Sequence, residues 1–399
     1  MQAQRVLHKL LDNTCGLMHE ARRLALAVNV MSALSGARLT VTGLGRSMEG
    51  RAKTRHCIKR SDRLLSNRHL HGERIDLHTM LTRLLIGDKR RPVIIVDWSD
   101  MDACKRHFLL RASVPVAGRS LTLYEEVHTN ATKEKPKTHL AFLRSFQAML
   151  PEACRPIVVS DAGFRVPWFR LVESFGWDWV GRVRNRTYIR QAGKRQWVLC
   201  KSLYTQATRT PKALGEVLMA RSNPIACQFV LYKGKPKGRV HKNRQGKRSR
   251  STASRRQAAK GREPWLLATS LAPSSTLAKK VVGLYKLRMQ IEEAFRDLKS
   301  SRFGLSLEQH LTYQVRRLQI MLLIAALALM VAWLMGKATE LTEQHWQYQA
   351  NSVRDRLVLS TIFIGLQVIC DTRVTLKAEH FKQALEKLSE ITQGHCVYD

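Results

Sequence analysis

Apolar residues recur at helical spacing over Val6 to Leu17 and Leu24 to Leu34, so residues 1–90 begin as helices, with a turn at Ser35-Gly36. From Pro92 the period changes. Val93-Ile94-Ile95-Val96 is a continuous apolar run, the pattern of a strand buried on both faces, and it stops at Asp97-Trp98-Ser99-Asp100. Phe108 to Val116 and Ser120 to His128 follow as strands joined through Ala117-Gly118, which predicts a three-strand meander. Lys137 to Leu150 is an amphipathic helix. Pro156 to Ser160 then repeats the buried-strand pattern and ends at another acid, Asp161, before the turn Ala162-Gly163 and a short helix near Pro167 to Phe175.

Residues 178–270 read as an all-β stretch of short runs: Trp179 to Arg184, Thr187 to Arg190, Gln196 to Lys201, Glu216 to Arg221, Ile225 to Tyr232 and Trp265 to Ser270. Helical patterns return afterwards. Tyr285 to Lys299 carries no Pro or Gly and predicts one helix with three stripes. Leu284, Leu287, Ile291, Phe295 and Leu298 form its core face. Lys286, Gln290, Glu293, Asp297 and Ser300 form a solvated face. Tyr285, Arg288, Glu292, Arg296 and Lys299, with Met289 among them, form a third stripe that sets one carboxylate among hydrogen-bonding and cationic groups. That row suits a phosphodiester held beside a metal ion. The bland alternative is a salt-bridged flank, because Arg288 and Glu292 are an i,i+4 pair.

Ile320 to Met335 has no charge, but its 16 residues reach only about 24 Å, short of a roughly 30 Å hydrocarbon core. A buried helix is expected there rather than a membrane span. Further helices are expected near Val353 to Val368 and over Ala378 to Ile391, the last with an apolar side suited to terminal packing or to dimerisation.

Charge changes the picture more than length does. Lys and Arg number 68 against 31 Asp and Glu, a net charge of +37 on a chain that is 44% hydrophobic. This is the balance of a folded protein with a polyanionic partner, nucleic acid before an anionic membrane. Arg46, Arg51, Lys53, Arg55, Lys59, Arg60, Arg63, Arg68 and Arg74 crowd one early stretch, following the sequence Thr40-Val41-Thr42-Gly43-Leu44-Gly45, which reads as a turn. A helical DNA-binding domain is the functional reading, and a solvated basic face the alternative. Lys233 to Arg262 holds thirteen Lys or Arg and no acid, a self-repelling loop that awaits a polyanion. The eight cysteines show no CxxC or Cys/His spacing, which argues against zinc and for a reducing compartment; no secretory signal is visible. A cytoplasmic protein is expected.

Two buried strands therefore each deliver an aspartate, Asp97 and Asp161, and a later helix delivers Glu292. Turn or cap roles are the alternative, stronger for Asp161 than for Asp97. The three acids resemble the DDE site of ribonuclease-H-like transposases and integrases. Tyr285, Arg288, Glu292 and Lys299 stand at the spacing of the YREK signature, and this chain is similar to the bacterial insertion-sequence transposases of family four. The blocks Leu110-Arg111-Ala112-Ser113, Gly118-Arg119-Ser120, Ser160-Asp161-Ala162-Gly163-Phe164 and Asn67-Arg68-His69-Leu70-His71 also look like that family.

The resemblance implies an α/β fold: a ribonuclease-H-like catalytic core (91–177 and 271–370) interrupted by the β insertion (178–270), with a helical N-terminal DNA-binding domain (1–90) and a helical C-terminal region (371–399). It implies cut-and-paste transposition in a homodimeric complex on double-stranded DNA, both terminal inverted repeats and target, with host DNA-bending proteins as further partners. Asp97, Asp161 and Glu292 would hold two Mg²⁺ ions, for which Mn²⁺ would substitute. Arg288, Arg296 and Lys299 would grip phosphates, with Tyr285 donating to one; Trp265 would stack on a flipped base and Met289 would act as the wedge. Core packing is the alternative for Trp265. Arg51, Lys53, Arg55, Lys59, Arg60, Arg63 and Arg68 would meet DNA from the N-terminal domain. Two rival readings stay open: a nuclease of the same fold without strand transfer, and a catalytically silent DNA-binding protein derived from a transposase.

Overall fold

The computed structural model describes residues 2–12, 18–184, 187–235, 247, 251–252, 254, 259, 263–353 and 355–396. It is a mixed α/β protein of two compact units, Met1–Pro156 with Met289–Asp399, and Ile157–Arg288. Most of the basic loop expected over 233–262 lies outside the described residues.

The first unit opens with α1 (Gln2–Asp12), α2 (Glu20–Gly36), α3 (Val41–Arg46), α4 (Thr54–Leu65) and α5 (Arg68–Ile86). Helix α2 runs through the expected turn at Ser35-Gly36 and is closed by Ala37, which takes the left-handed conformation with φ 47°. The sequence Thr40 to Gly45, read as a turn, is instead helix α3. Thr40 supplies the reason: its hydroxyl accepts the Gly43 N–H at 2.9 Å, an N-cap that pays the helix start despite two glycines. Gly45 also has a packing role, since a Cβ there would strike the backbone of Ile58 in α4. Of the nine basic residues counted between Arg46 and Arg74, the last is not on the surface. Arg74 is buried and donates to the Glu125 carbonyl at 2.9 Å.

The predicted meander is present as β1 (Val93–Asp100), β2 (His107–Pro115) and β3 (Ser120–Thr129), antiparallel throughout. Strand β1 does not stop at Asp97. Its ladder continues to the Asp100–Phe108 pair, because β2 is long enough to keep bonding it after the apolar run ends. Helix α6 (Pro136–Met149) follows, with Pro136 in its first turn where no intrahelical N–H is needed.

The chain returns to this unit at α9 (Met289–Lys299), then α10 (Val315–Leu341), α11 (Thr361–Ile369) and α12 (Ala378–Gly394). Helix α10 has 27 residues and is apolar enough to cross a membrane, but 94% of its most apolar window is buried inside the protein. A helix apolar on every side belongs in a core. It packs on α2, α5, β3, α11 and α12, and its contact with α11 runs backbone to backbone through Gly336 and Gly365. Helix α11 is shorter than the expected 353–368 helix. The Ser360 hydroxyl caps it by accepting the Phe363 N–H at 3.2 Å, while Gln349 binds the Val353 carbonyl at 2.7 Å and holds the preceding segment out of the helix. Helix α12 buries Ala384 and Leu388 against its own chain, beside α10 and α5.

The second unit is built on β4 (Ile157–Ser160), α7 (Val166–Ser174) and β5 (Asp178–Val183), with β4 and β5 parallel as the intervening helix requires. The remaining strands, β6 (Tyr188–Gln191), β7 (Val198–Leu199), β8 (Lys212–Met219), β9 (Ile225–Tyr232) and β10 (Trp265–Thr269), extend the sheet antiparallel in the order β4-β5-β10-β9-β8-β6-β7. Helix α8 (Leu277–Leu287) packs on this sheet.

The helix expected over Tyr285 to Lys299 is thus two helices. Arg288 separates them: its N–H bonds three residues back to Tyr285 at 3.2 Å, a tight turn that ends α8 although the residue keeps helical dihedrals.

Candidate active site

In the first unit the chemistry gathers around the far end of β1. Asp97 is only 8% exposed, and its Oδ1 accepts the Trp98 N–H at 2.9 Å. Trp98 is fixed in turn. Its indole N–H donates to His139 Nε2 on α6 at 3.2 Å, and its ring lies edge-on to His128. Burial, with the charge of His128, pushes the His139 imidazole down to about 4, so it is neutral at pH 7 and able to accept that bond.

Across the sheet, Asp97 pairs with Arg111 and Arg111 with Glu125 in successive registers. The Arg111 guanidinium is fully buried and commits itself to Glu125, Nε to Oε2 at 2.7 Å. Burial raises the Glu125 carboxyl and Arg111 opposes the rise. The sequence reading named Arg111 only within a family-like block and not as a buried cation beside Asp97, although a lone charge inside the apolar strand pattern of Phe108 to Val116 was the available signal.

Helix α9 carries Glu292 and is anchored at both ends. Near its start, Gln290 Oε1 accepts the Val116 N–H at 3.0 Å. In its last turn Lys299 Nζ donates to Ser99 Oγ at 2.6 Å and to the Asp100 carbonyl. Burial, then the Arg111 charge, lowers Lys299 to about 8, against the pull of Asp100 and Asp97. Glu292 itself is exposed, and Arg296, also exposed, pairs with Glu293 at 2.5 Å.

Of the face expected to be solvated, Lys286 is exposed and Gln290, Glu293 and Ser300 are half-buried, but Asp297 departs from the expectation. Asp297 is 1% exposed and receives Arg119 Nε at 2.5 Å, so the β2–β3 turn docks on it. Burial raises the Asp297 carboxyl, which Arg119 partly offsets. Periodicity missed this because it counts a charged residue as surface whether or not an ion pair buries it.

In the second unit Asp161 follows β4 directly. Its Oδ1 accepts the Gly163 N–H at 2.7 Å, so one carboxylate oxygen serves the turn that was weighed as its alternative role. Tyr285 and Arg288 are buried, with the guanidinium 5.6 Å from the tyrosine ring centre. Burial raises the Tyr285 hydroxyl, against Arg288 and Arg182, so it stays a neutral donor. Trp265 is half-buried and meets Tyr285 and Tyr232 edge-on at 5.0 and 5.8 Å between ring centres.

Asp97 and Glu292 therefore belong to the first unit and Asp161 to the second. Among the described residues, no group of three or more His, Cys, Asp or Glu side chains stands arranged to hold a metal ion. The side chains expected from the sequence are carboxylates, oxygen donors of the kind that hard divalent cations take.

The basic stretch lies at the surface. Arg51, Lys53, Arg55, Lys59, Arg60, Arg63 and Arg68 are all exposed, on α4, the loop before it and the first residue of α5. The side of α4 away from them buries Cys57, Ser61, Leu64 and Leu65.

A comparison with curated proteins finds no match. Residues 88–330, more than half of the chain and including Asp97, Asp161, Glu292 and Lys299, match the family model described as a transposase DDE domain. The chain belongs to the transposase DDE-domain family.

Proposed function

We propose that this protein is a cut-and-paste transposase of an insertion sequence, of the YREK-bearing family four and near the transposase of the tetracycline-resistance transposon ten. The observation that carries the reading is the anchoring of the Glu292 helix on the Asp97 strand through Lys299, inside the segment that matches the DDE family. In this reading residues 91–177 and 271–370 are a ribonuclease-H-like core, 178–270 a β insertion, and 1–90 the helical DNA-binding domain. It acts as a homodimer on terminal repeats and target DNA in the bacterial cytoplasm, with host DNA-bending proteins as accessories.

Asp97, Asp161 and Glu292 are the carboxylates proposed to hold two Mg²⁺ ions. When bound, such ions activate an oxygen nucleophile and stabilise the leaving oxygen of an in-line displacement at phosphorus. Each step exchanges one P–O bond for another: water releases a 3′-hydroxyl at the element end, and that hydroxyl attacks the opposite strand to close a hairpin. Water then reopens the hairpin, and the same hydroxyl attacks a target phosphodiester. The chain's own part is to bind and orient. Lys299, Arg288 and Arg296 hold phosphates, Tyr285 donates a hydrogen bond to one, Trp265 takes a flipped base on its ring and Met289 fills the gap that base leaves. The cations of α4, with Arg51, Lys53 and Arg68, hold the end duplex.

The test is product analysis. Purified protein, a labelled duplex carrying the element end, plasmid and Mg²⁺ are incubated and resolved on a denaturing gel. Nicks, hairpins and joined products are expected. Nicks without joining would instead identify a nuclease, and binding without chemistry a silent DNA-binding protein.

A further inference from the structure

A groove of about 700 Å³ opens in the first unit between α3 and the strap of residues 309–314 that leads into α10. Arg38, Thr42, Arg46, Leu311, Tyr313 and Arg317 are among its lining residues. Its walls are braced. The Leu39 N–H donates to the Leu305 carbonyl at 2.8 Å, and the Ser306 hydroxyl to the Ala37 carbonyl at 2.7 Å. Arg317 donates to Asp62 of α4 at 2.8 Å, so the only acid among the described lining residues is already neutralised. Arg38 and Arg46 remain as exposed cations.

The strap adds what a plain phosphate site does not need. Leu311 is 81% exposed and Tyr313 52% exposed, and the Arg106 guanidinium lies 4.1 Å from the Tyr313 ring centre. Apolar and aromatic side chains held out among arginines are the elements of a stacking platform, on which a base meets the ring while its phosphate meets the cations. The volume is that of a small-ligand pocket, roughly 300–1,000 Å³, and too small to enclose a duplex, whose major groove alone is about 12 Å wide.

We propose that this groove binds an unpaired stretch of DNA strand, with bases against Tyr313 and Leu311 and phosphates on Arg38 and Arg46. The proposal rests on the transposase reading, whose reactions free strand ends from the duplex. It adds a single-strand site beside the duplex-facing cations of α4.

The full-length chain is titrated by fluorescence anisotropy against a labelled oligothymidine strand and against a blunt duplex of equal length. Tyr313→Ala and Leu311→Ser remove exposed side chains, and unchanged thermal unfolding verifies that each variant folds. Each is expected to weaken single-strand binding about five- to a hundredfold and to leave duplex binding unchanged. Unchanged single-strand affinity, or equal losses on both probes, overturns the groove. Photocrosslinking with a strand containing 5-iodouracil should label the peptide that spans residues 309–317; labelling confined to other peptides also overturns it. An unaltered chain that binds neither probe refutes the transposase reading itself.

Discussion

Lys299 reaches from the last turn of α9 to Ser99 at 2.6 Å, so the helix that carries Glu292 is tied to the strand that carries Asp97. Burial holds this ammonium at about 8, well below an ordinary lysine. A lysine lowered in the folded state resists protonation there, so the unfolded chain binds more protons between about pH 8 and the usual lysine range. Stability should therefore rise with pH across that window in the native protein relative to Lys299→Met. Urea unfolding of both proteins from pH 7 to 10 measures the difference, and parallel curves would deny the shift.

Arg119 is the partner of a buried acid. Removing it leaves Asp297 desolvated and unpaired, and breaking a buried pair costs on the order of 3 kcal/mol. Arg119→Ala should lower stability by about that amount, and the double variant Arg119→Ala, Asp297→Asn should recover part of it. Urea midpoints at constant m-value decide; a loss below about 0.5 kcal/mol would place the pair among ordinary surface ion pairs.

Those two residues also mark what the sequence conveyed and what it did not. The meander from Val93 to Thr129, the buried strand at Ile157 and the short strands after Asp178 were legible because period and run length are local properties. Burial of Asp297, Arg111 and Arg74 was not, since each depends on a partner or carbonyl acceptor distant in sequence. Nor was the break at Arg288, where neither Pro nor Gly interrupts a strong helical pattern. The Thr40 cap was readable in principle, but Gly43 and Gly45 argued for a turn, and the close packing of Gly45 on Ile58 of α4 has no local signal. At the candidate site the residue types and spacing were legible, whereas the Trp98–His139 bond that braces Asp97's neighbour had no sequence signal.

Trp265 meets Tyr285 and Tyr232 in T-shaped contacts and is half-buried. Trp265→Ala should spare the first nick and reduce hairpin yield at least tenfold. Quantifying both bands on one gel separates the steps; normal hairpin yield would remove the stacking role and leave packing.

Seven exposed cations on and around α4 predict salt-sensitive binding. If six or more phosphates are contacted, affinity for the element end should fall by about 10³ or more between 50 and 200 mM salt. Lys59→Ala should reduce the slope of log K against log salt by about 1. A flat response would contradict the polyanion reading.

The most direct measurement compares the native chain with Asp97→Asn and Glu292→Gln on one labelled element-end duplex, by gel shift without metal and by cleavage with Mg²⁺. Both variants should bind the end as the native protein does and produce no nick, because only the carboxylates proposed to hold the ions have changed. Cleavage retained by either variant would contradict the assignment of the active site.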